Sequence, residues 1–338
     1  HSVLKFLSGL TLLSMLALTA GAEAQAREVR IYSGRHYNTD RQVFKKFSDE
    51  TGIKIRLIET TGISVIERLK REGANSKADM ILLVDAARIN NAAEEGLLQP
   101  VTSASLTKDI PANFRDPGNR WFGLTRRVRA IIVNPNKVKP GALTTYADLA
   151  KPEFKGQLCL RKRNNVYNQS LVADQIILKG NGTASQWVKG MVSNVSQPYF
   201  SGDVSLIRAV AEGKCGIGVV NHYYLARMQA GKSGGRDKTL TQGVKLIMPN
   251  PAHVNISAAG VAKSAQNKAE AIQLIEYLAS PKGSAALSDP TFEYPLRGNG
   301  AAKELKAFGP FTPDNVSISS LGKTQKEAVR IMADAGWQ

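Results

Sequence analysis

A chain of 338 residues, 43% hydrophobic and 22% charged, is long enough for two packed lobes and has the composition of an ordinary globular protein. Its formal net charge of +17 is scattered along the chain, with one short basic cluster, "RKRNN" at 161–165. That scatter, with no recognised binding module, argues against nucleic acid as a partner and for a solvated, anion-attracting surface. No nucleophile elbow, zinc motif, P-loop or dinucleotide fingerprint marks an enzyme.

The chain opens with "LKFLSGLTLLSMLALTAGAEAQA", a lysine, an apolar run and then small residues, which predicts a secretory signal peptide over residues 1–26. The apolar run is short for a membrane span and ends in a cleavage-like site after Ala24 or Ala26. "EVRIYSG" (28–34) then reads as a strand, and a helix near 40–50 carries Val43, Phe44 and Phe47 on one face, with Gly52 placed to end it. "IKIRLIET" (53–60) alternates like a strand. "SVIERLKREG" (64–73) reads as a helix with Ser64 as its N-cap and Gly73 at its end, and "ADMILLVD" (78–85) as a buried strand. The alternation restarts after "RRVRAIIVNP" (126–135) and continues through "GQLCLR", "QSLVADQIILKG", "SLIRAVAEGKCGIGVVN", "VNISAAGVA" and the helix "NKAEAIQLIEYLAS". Strands alternating with helices imply parallel sheets covered on both faces. Cys159 and Cys215 both fall on strand-like stretches; in an oxidising compartment they either pair or stay as inert thiols.

Two α/β lobes with no linker between them imply a chain that crosses more than once, a hinged clamshell with its ligand in the cleft. Ligands of such sheets lie beyond the carboxyl ends of strands. After the first strand come Arg35, His36 and Tyr37; after "GQLCL" comes Tyr167; after "GIGVV" come His222, Tyr223 and Tyr224. Tyr32, Tyr146, Tyr199, Tyr277 and Tyr294 have no such placement. Several phenols at one cleft suit a hard trivalent cation, because phenolate is a hard anionic donor. Ionising one phenol at pH 7 costs about 4 kcal/mol and four cost about 16. Divalent Ca²⁺ and Mg²⁺ prefer carboxylates and carbonyls instead. Adjacent Tyr223 and Tyr224 diverge by about 100° in the first turn of a helix and can still converge on one ion. The ordinary alternative puts one ring in the core and one at the surface.

The stretches "VRIYSGRHYNTD", "ADMILLVDAARINNAAEEGLLQPV", "RWFGLTRRVRAIIVNP", "YADLAKPEFKGQLCLR", "RNNVYNQSLVADQI", "GKCGIGVVNHYYLARM" and "AAGVAKSAQNKAEAIQLIEYLASPKG" together resemble the periplasmic ferric-ion-binding proteins of iron ABC transporters, especially their cyanobacterial branch. The resemblance spans nearly the whole mature chain. It implies a two-lobed periplasmic-binding-protein fold, with residues 27–125 and 257–300 in one lobe and 126–256 and 301–338 in the other. It further implies a monomeric, non-enzymatic protein of the periplasm that captures Fe³⁺ and hands it to an inner-membrane ABC permease. Carried over residue by residue, the metal-binding positions are His36, Tyr37, Tyr167, Tyr223 and Tyr224. Arg127 would compensate charge beside the ion, with Arg129 as the weaker substitute. His36 is either a donor or part of the cleft wall. The competing reading is a binding protein for a small anion or organic solute, in which the tyrosines stack and the arginines pair the ligand.

Overall fold

The structure, a computed structural model, describes residues 27–338; the predicted signal peptide lies outside the described residues. Strands β1 (Glu28–Ser33), β2 (Lys54–Glu59) and β3 (Met80–Val84) lie parallel in the order β2-β1-β3. Helix α1 (Asn38–Thr51) joins the first two, buries Val43, Phe44 and Phe47, and stops where Gly52 turns to a left-handed φ of 73°. Helix α2 (Gly62–Glu72) begins two residues before the expected start. Thr61, not Ser64, is the N-cap: its hydroxyl accepts from the Ser64 N–H at 3.1 Å. Gly62 belongs in that first turn because it lies against the end of β1; a Cβ on Gly34 would come within 2.8 Å of the Gly62 Cα.

The sheet is mixed rather than parallel, and two long strands are the reason. Strands β5 (Phe122–Val133) and β9 (Val254–Ala262) run antiparallel to each other, and β9 runs antiparallel to β3. Up to Val128, β5 pairs with β9. From Arg129 onward it pairs with β7 (Ile217–Asn221) and, at its end, with β8 (Lys245–Ile247). A two-residue strand, β6 (Leu158–Cys159), closes the order β2-β1-β3-β9-β5-β7-β6, and another, β4 (Leu98–Gln99), pairs with β9 off this path. One continuous strand, β5, is therefore shared by two sets of hydrogen-bonded neighbours, with no linker between them.

Every residue of β5 is buried, yet the strand reads "FGLTRRVRAIIV". Buried guanidinium groups require partners, and each arginine has them. Arg126 donates to the Pro295 carbonyl at 2.6 Å and to that of Gly298. The period-2 alternation sends Arg127 and Arg129 to the opposite face from Arg126. Beyond β6, helix α3 (Val166–Lys179) is capped by the Asn165 side chain, helix α4 (Asp203–Ala211) precedes β7, and helix α5 (His222–Gln229) follows it directly. A disulfide joins Cys159, on β6, to Cys215, which lies two residues before β7 rather than within it.

Candidate metal centre

Three helix starts carry the tyrosines that sequence placed at strand ends. Tyr37 is the N-cap residue of α1, Tyr167 is the second residue of α3, and Tyr223 and Tyr224 are the second and third residues of α5. Free N–H groups and the positive end of the helix dipole gather at such positions.

Two arginines connect these segments. Arg127, buried on β5, donates from Nη2 to the Tyr37 hydroxyl at 3.1 Å, and its guanidinium lies 4.7 Å from the centre of the Tyr223 ring and 5.9 Å from that of Tyr167. Arg227 lies 4.8 Å from the Tyr37 ring, 4.4 Å from Tyr223 and 5.6 Å from Tyr224, and is held by the Thr291 carbonyl at 2.9 Å. The Tyr223 and Tyr224 rings tilt against each other with centres 4.6 Å apart. Tyr37, Tyr167, Tyr223 and Tyr224 are thus drawn together around Arg127 and Arg227. Nη1 of Arg127 and Nη2 of Arg227 are buried without a partner among the described residues.

A buried carboxylate fixes Arg127. Glu293 accepts from Arg127 Nε at 3.0 Å, from Arg35 Nη1 at 2.6 Å, and from the hydroxyls of Thr125 (2.7 Å) and Thr291 (2.6 Å). Burial opposes its charge, but Arg35 and Arg127 hold its carboxyl well below the usual range. Arg35 also grips Asp40 with two hydrogen bonds of 2.8 and 3.0 Å and lies 4.7 Å from the centre of the Tyr37 ring. The phenols respond unequally. Burial raises Tyr223 well above its ordinary value, more than Arg127 lowers it, and burial likewise raises Tyr224. Burial pushes Tyr37 up as well, but Arg127 and Arg227 outweigh it and bring this phenol below its ordinary value.

The remaining candidates are placed differently. His36 is exposed and has a left-handed φ of 57°, next to Tyr37 on the turn out of β1. Arg129 points to the same face as Arg127 but is bound to Asp203 (2.8 Å), Asn221 (3.0 Å) and Asn168 (2.9 Å), beneath the Tyr167 ring. His222 is wholly buried: Nδ1 accepts from the Val128 N–H at 3.1 Å and Nε2 lies 2.8 Å from the Phe292 carbonyl. Burial takes its pKa down to about 3, so the ring is neutral and both nitrogens are committed. Sequence reasoning missed Arg227 and Glu293. Arg227 was readable, four residues after Tyr223 on one helix face. Glu293 carries no local signal.

The chain from 75 to 312 matches the family model for "Bacterial extracellular solute-binding protein". It is 40% identical over 324 residues to iron uptake protein A1 of Synechocystis sp., covering 94% of this chain and 90% of that protein. It is 27% identical to the major ferric iron-binding protein of Neisseria meningitidis, over 95% of this chain and 96% of that one. The Trichodesmium FutA (IdiA) structure in complex with iron and citrate superposes with a TM-score of 0.88 and 43% identity, covering 92% of this chain and all of that one.

Proposed function

The chain belongs to the bacterial extracellular solute-binding protein family, and from that premise we propose that it binds ferric iron in the periplasm, through phenolates of Tyr37, Tyr167, Tyr223 and Tyr224, and delivers it to an inner-membrane ABC permease. The observation that carries this reading is the convergence of four phenols from three separate helix starts on buried Arg127 and half-buried Arg227.

Charge balance supports the ion. Four phenolates around Fe³⁺ leave one net negative charge. Arg127 and Arg227, set against Glu293, supply one net positive charge, while Arg35 and Asp40 offset each other. The closed site is then neutral, which a water-poor interior requires. A divalent ion in the same cage would leave negative charge uncompensated. His36, exposed beside Tyr37, is within the same turn and serves as an additional donor or as the cleft wall. We place the boundary between lobes where β5 changes partners, near residues 125–129, so that one strand acts as hinge.

The test is metal analysis with a visible spectrum of the purified, iron-loaded protein. One iron per chain and a purple-red phenolate-to-iron band are expected, and Tyr223→Phe or Tyr224→Phe should bleach the band and weaken iron retention without unfolding the protein. An organic or anionic solute gives no such band; a colourless protein that retains a small anion instead would establish the competing reading.

A further inference from the structure

Behind the tyrosine cluster lies a second constellation that iron binding there does not use. Asp174 is on α3, His253 immediately precedes β9, and Asp314 lies in the stretch leading to helix α6 (Ile318–Asp334). One ligand atom from each lies within 4.8 Å of the others. Asp174 Oδ1, His253 Nδ1 and Asp314 Oδ2 are all buried without a hydrogen-bond partner among the described residues. Asp174 is 0% and His253 1% exposed. An unsatisfied buried polar atom costs about 1–3 kcal/mol; a protonated His253 would pair with Asp174 alone, whereas one shared ion would satisfy all three atoms.

We propose that Asp174, His253 and Asp314 form a second metal site, for one divalent first-row transition ion. The outer oxygens of both carboxylates are already taken: Asp174 Oδ2 accepts from Gln175 Nε2 at 3.0 Å, and Asp314 Oδ1 from the Val316 N–H at 3.1 Å. Those bonds turn the free oxygens inward, as supporting contacts do at metal sites. His253 Nδ1 and Asp174 Oδ1 are 3.3 Å apart. Two donors each about 2.1 Å from a common ion, at right to tetrahedral angles, stand roughly 3.0–3.4 Å apart. One imidazole and two carboxylates suit Zn²⁺, Mn²⁺, Co²⁺ or Fe²⁺ rather than soft Cu⁺, which wants sulfur. A doubly charged ion neutralises the two carboxylates. The rival occupant is a proton, since burial and Asp174 push the Asp314 carboxyl up to about 7.

The site ties together three parts of the fold. Asp174 is seven residues beyond Tyr167 on the same helix, about 10 Å along its axis. His253 offers its carbonyl to the Arg129 N–H on β5 at 3.2 Å, and the neighbouring Ala252 pairs with the Asp314 stretch through backbone bonds of 2.8 and 2.9 Å. An ion here would fasten the tyrosine-bearing helix to the foot of the crossing strand.

Co²⁺ and Zn²⁺ are the probes. In the Tyr223→Phe/Tyr224→Phe double variant, which removes the principal competing donors, Co²⁺ titration is expected to give one equivalent with visible ligand-field bands, displaced by Zn²⁺. Asp314→Asn is nearly isosteric at a half-buried position, and together with His253→Gln it should weaken that equivalent by about 10–100-fold while circular dichroism stays unchanged. If His253→Gln does not fold, Asp314→Asn alone decides. The absence of a stoichiometric equivalent, as a proton-only cluster gives, overturns the proposal, and so does binding that Asp314→Asn leaves unchanged.

Discussion

Arg227 lies one helical turn beyond Tyr223, yet its guanidinium also sits over the ring of Tyr37, a residue from the other end of the site. A cation lodged between phenols stabilises them more as phenolates than as neutral rings, and glutamine offers no such charge. Arg227→Gln should therefore keep the fold and the visible band but weaken iron retention by about 10–100-fold in chelator competition; unchanged retention would remove Arg227 from the charge balance. The phenols also fix the pH dependence. Tyr223 and Tyr224 lie above the ordinary phenol value, so both are protonated at neutral pH in the iron-free protein, and on the function proposed above an ion must displace their protons. Lowering the pH favours the protonated, iron-free form, so affinity falls on acidification. Calorimetry in buffers of different ionisation enthalpy should count about two or more protons released per ion at neutral pH, and release of none would contradict phenolate binding. The tyrosines were legible because each follows a strand and opens a helix, a position readable from local pattern. Glu293 was not, because its partners Arg35 and Arg127 are 258 and 166 residues away and only the folded sheet brings them together.

At the scale of elements, pattern reading succeeded where the signal is local and failed where pairing is long-range. The helix of Val43, Phe44 and Phe47 follows from its helical periodicity, and the strand "VNISAAGVA", buried along its whole length, from a run dominated by small and apolar residues. The antiparallel entry of β5 and β9 does not, because strand direction is set by where the chain returns from. The start of α2 was misplaced because Thr61 and Ser64 are both capping residues and only the contact of Gly34 with Gly62 distinguishes them. The short β6 illustrates a different constraint. Only Leu158 and Cys159 pair with β7, and the disulfide to Cys215 closes a loop with a sequence separation of 56. A loop of that length confines the unfolded chain by up to about 4 kcal/mol. Both sulfurs lie in the apolar cluster with Leu206, Val210 and Leu225, against which Tyr224 packs. Reduction is expected to lower Tm by on the order of 10 °C or less while leaving the iron band intact at room temperature. A band lost together with the disulfide would instead place Cys159 and Cys215 in the support of the site.

For the molecule as a whole, the question is what holds the two lobes closed when the ion is in place. Asp85 caps helix Ala86–Glu94, with a positive φ of 81°, and its carboxylate is shared between both sides of the cleft. Oδ1 accepts from the Ala87 N–H at 2.8 Å and from the Ser170 hydroxyl at 2.7 Å, while Oδ2 accepts from Asn255 Nδ2 at 2.8 Å. On the lobe division proposed above, Asp85 and Ser170 lie in different lobes, and Ser170 is on the helix that carries Tyr167. On that division the bond spans the cleft and ties the Tyr167 helix to the opposite lobe. A hydrogen bond to a charged group is worth about 1.5–3 kcal/mol, a ten- to hundredfold change in the closed population if it is made in that state alone. Ser170→Ala keeps every tyrosine and arginine of the site, so the iron band should be unchanged. Iron should leave about tenfold faster or more by that same difference, and small-angle scattering of the iron-loaded variant should show a larger radius of gyration. An unchanged release rate with an unchanged radius would mean that the ion alone holds the lobes together, and that Asp85 serves only the helix it caps.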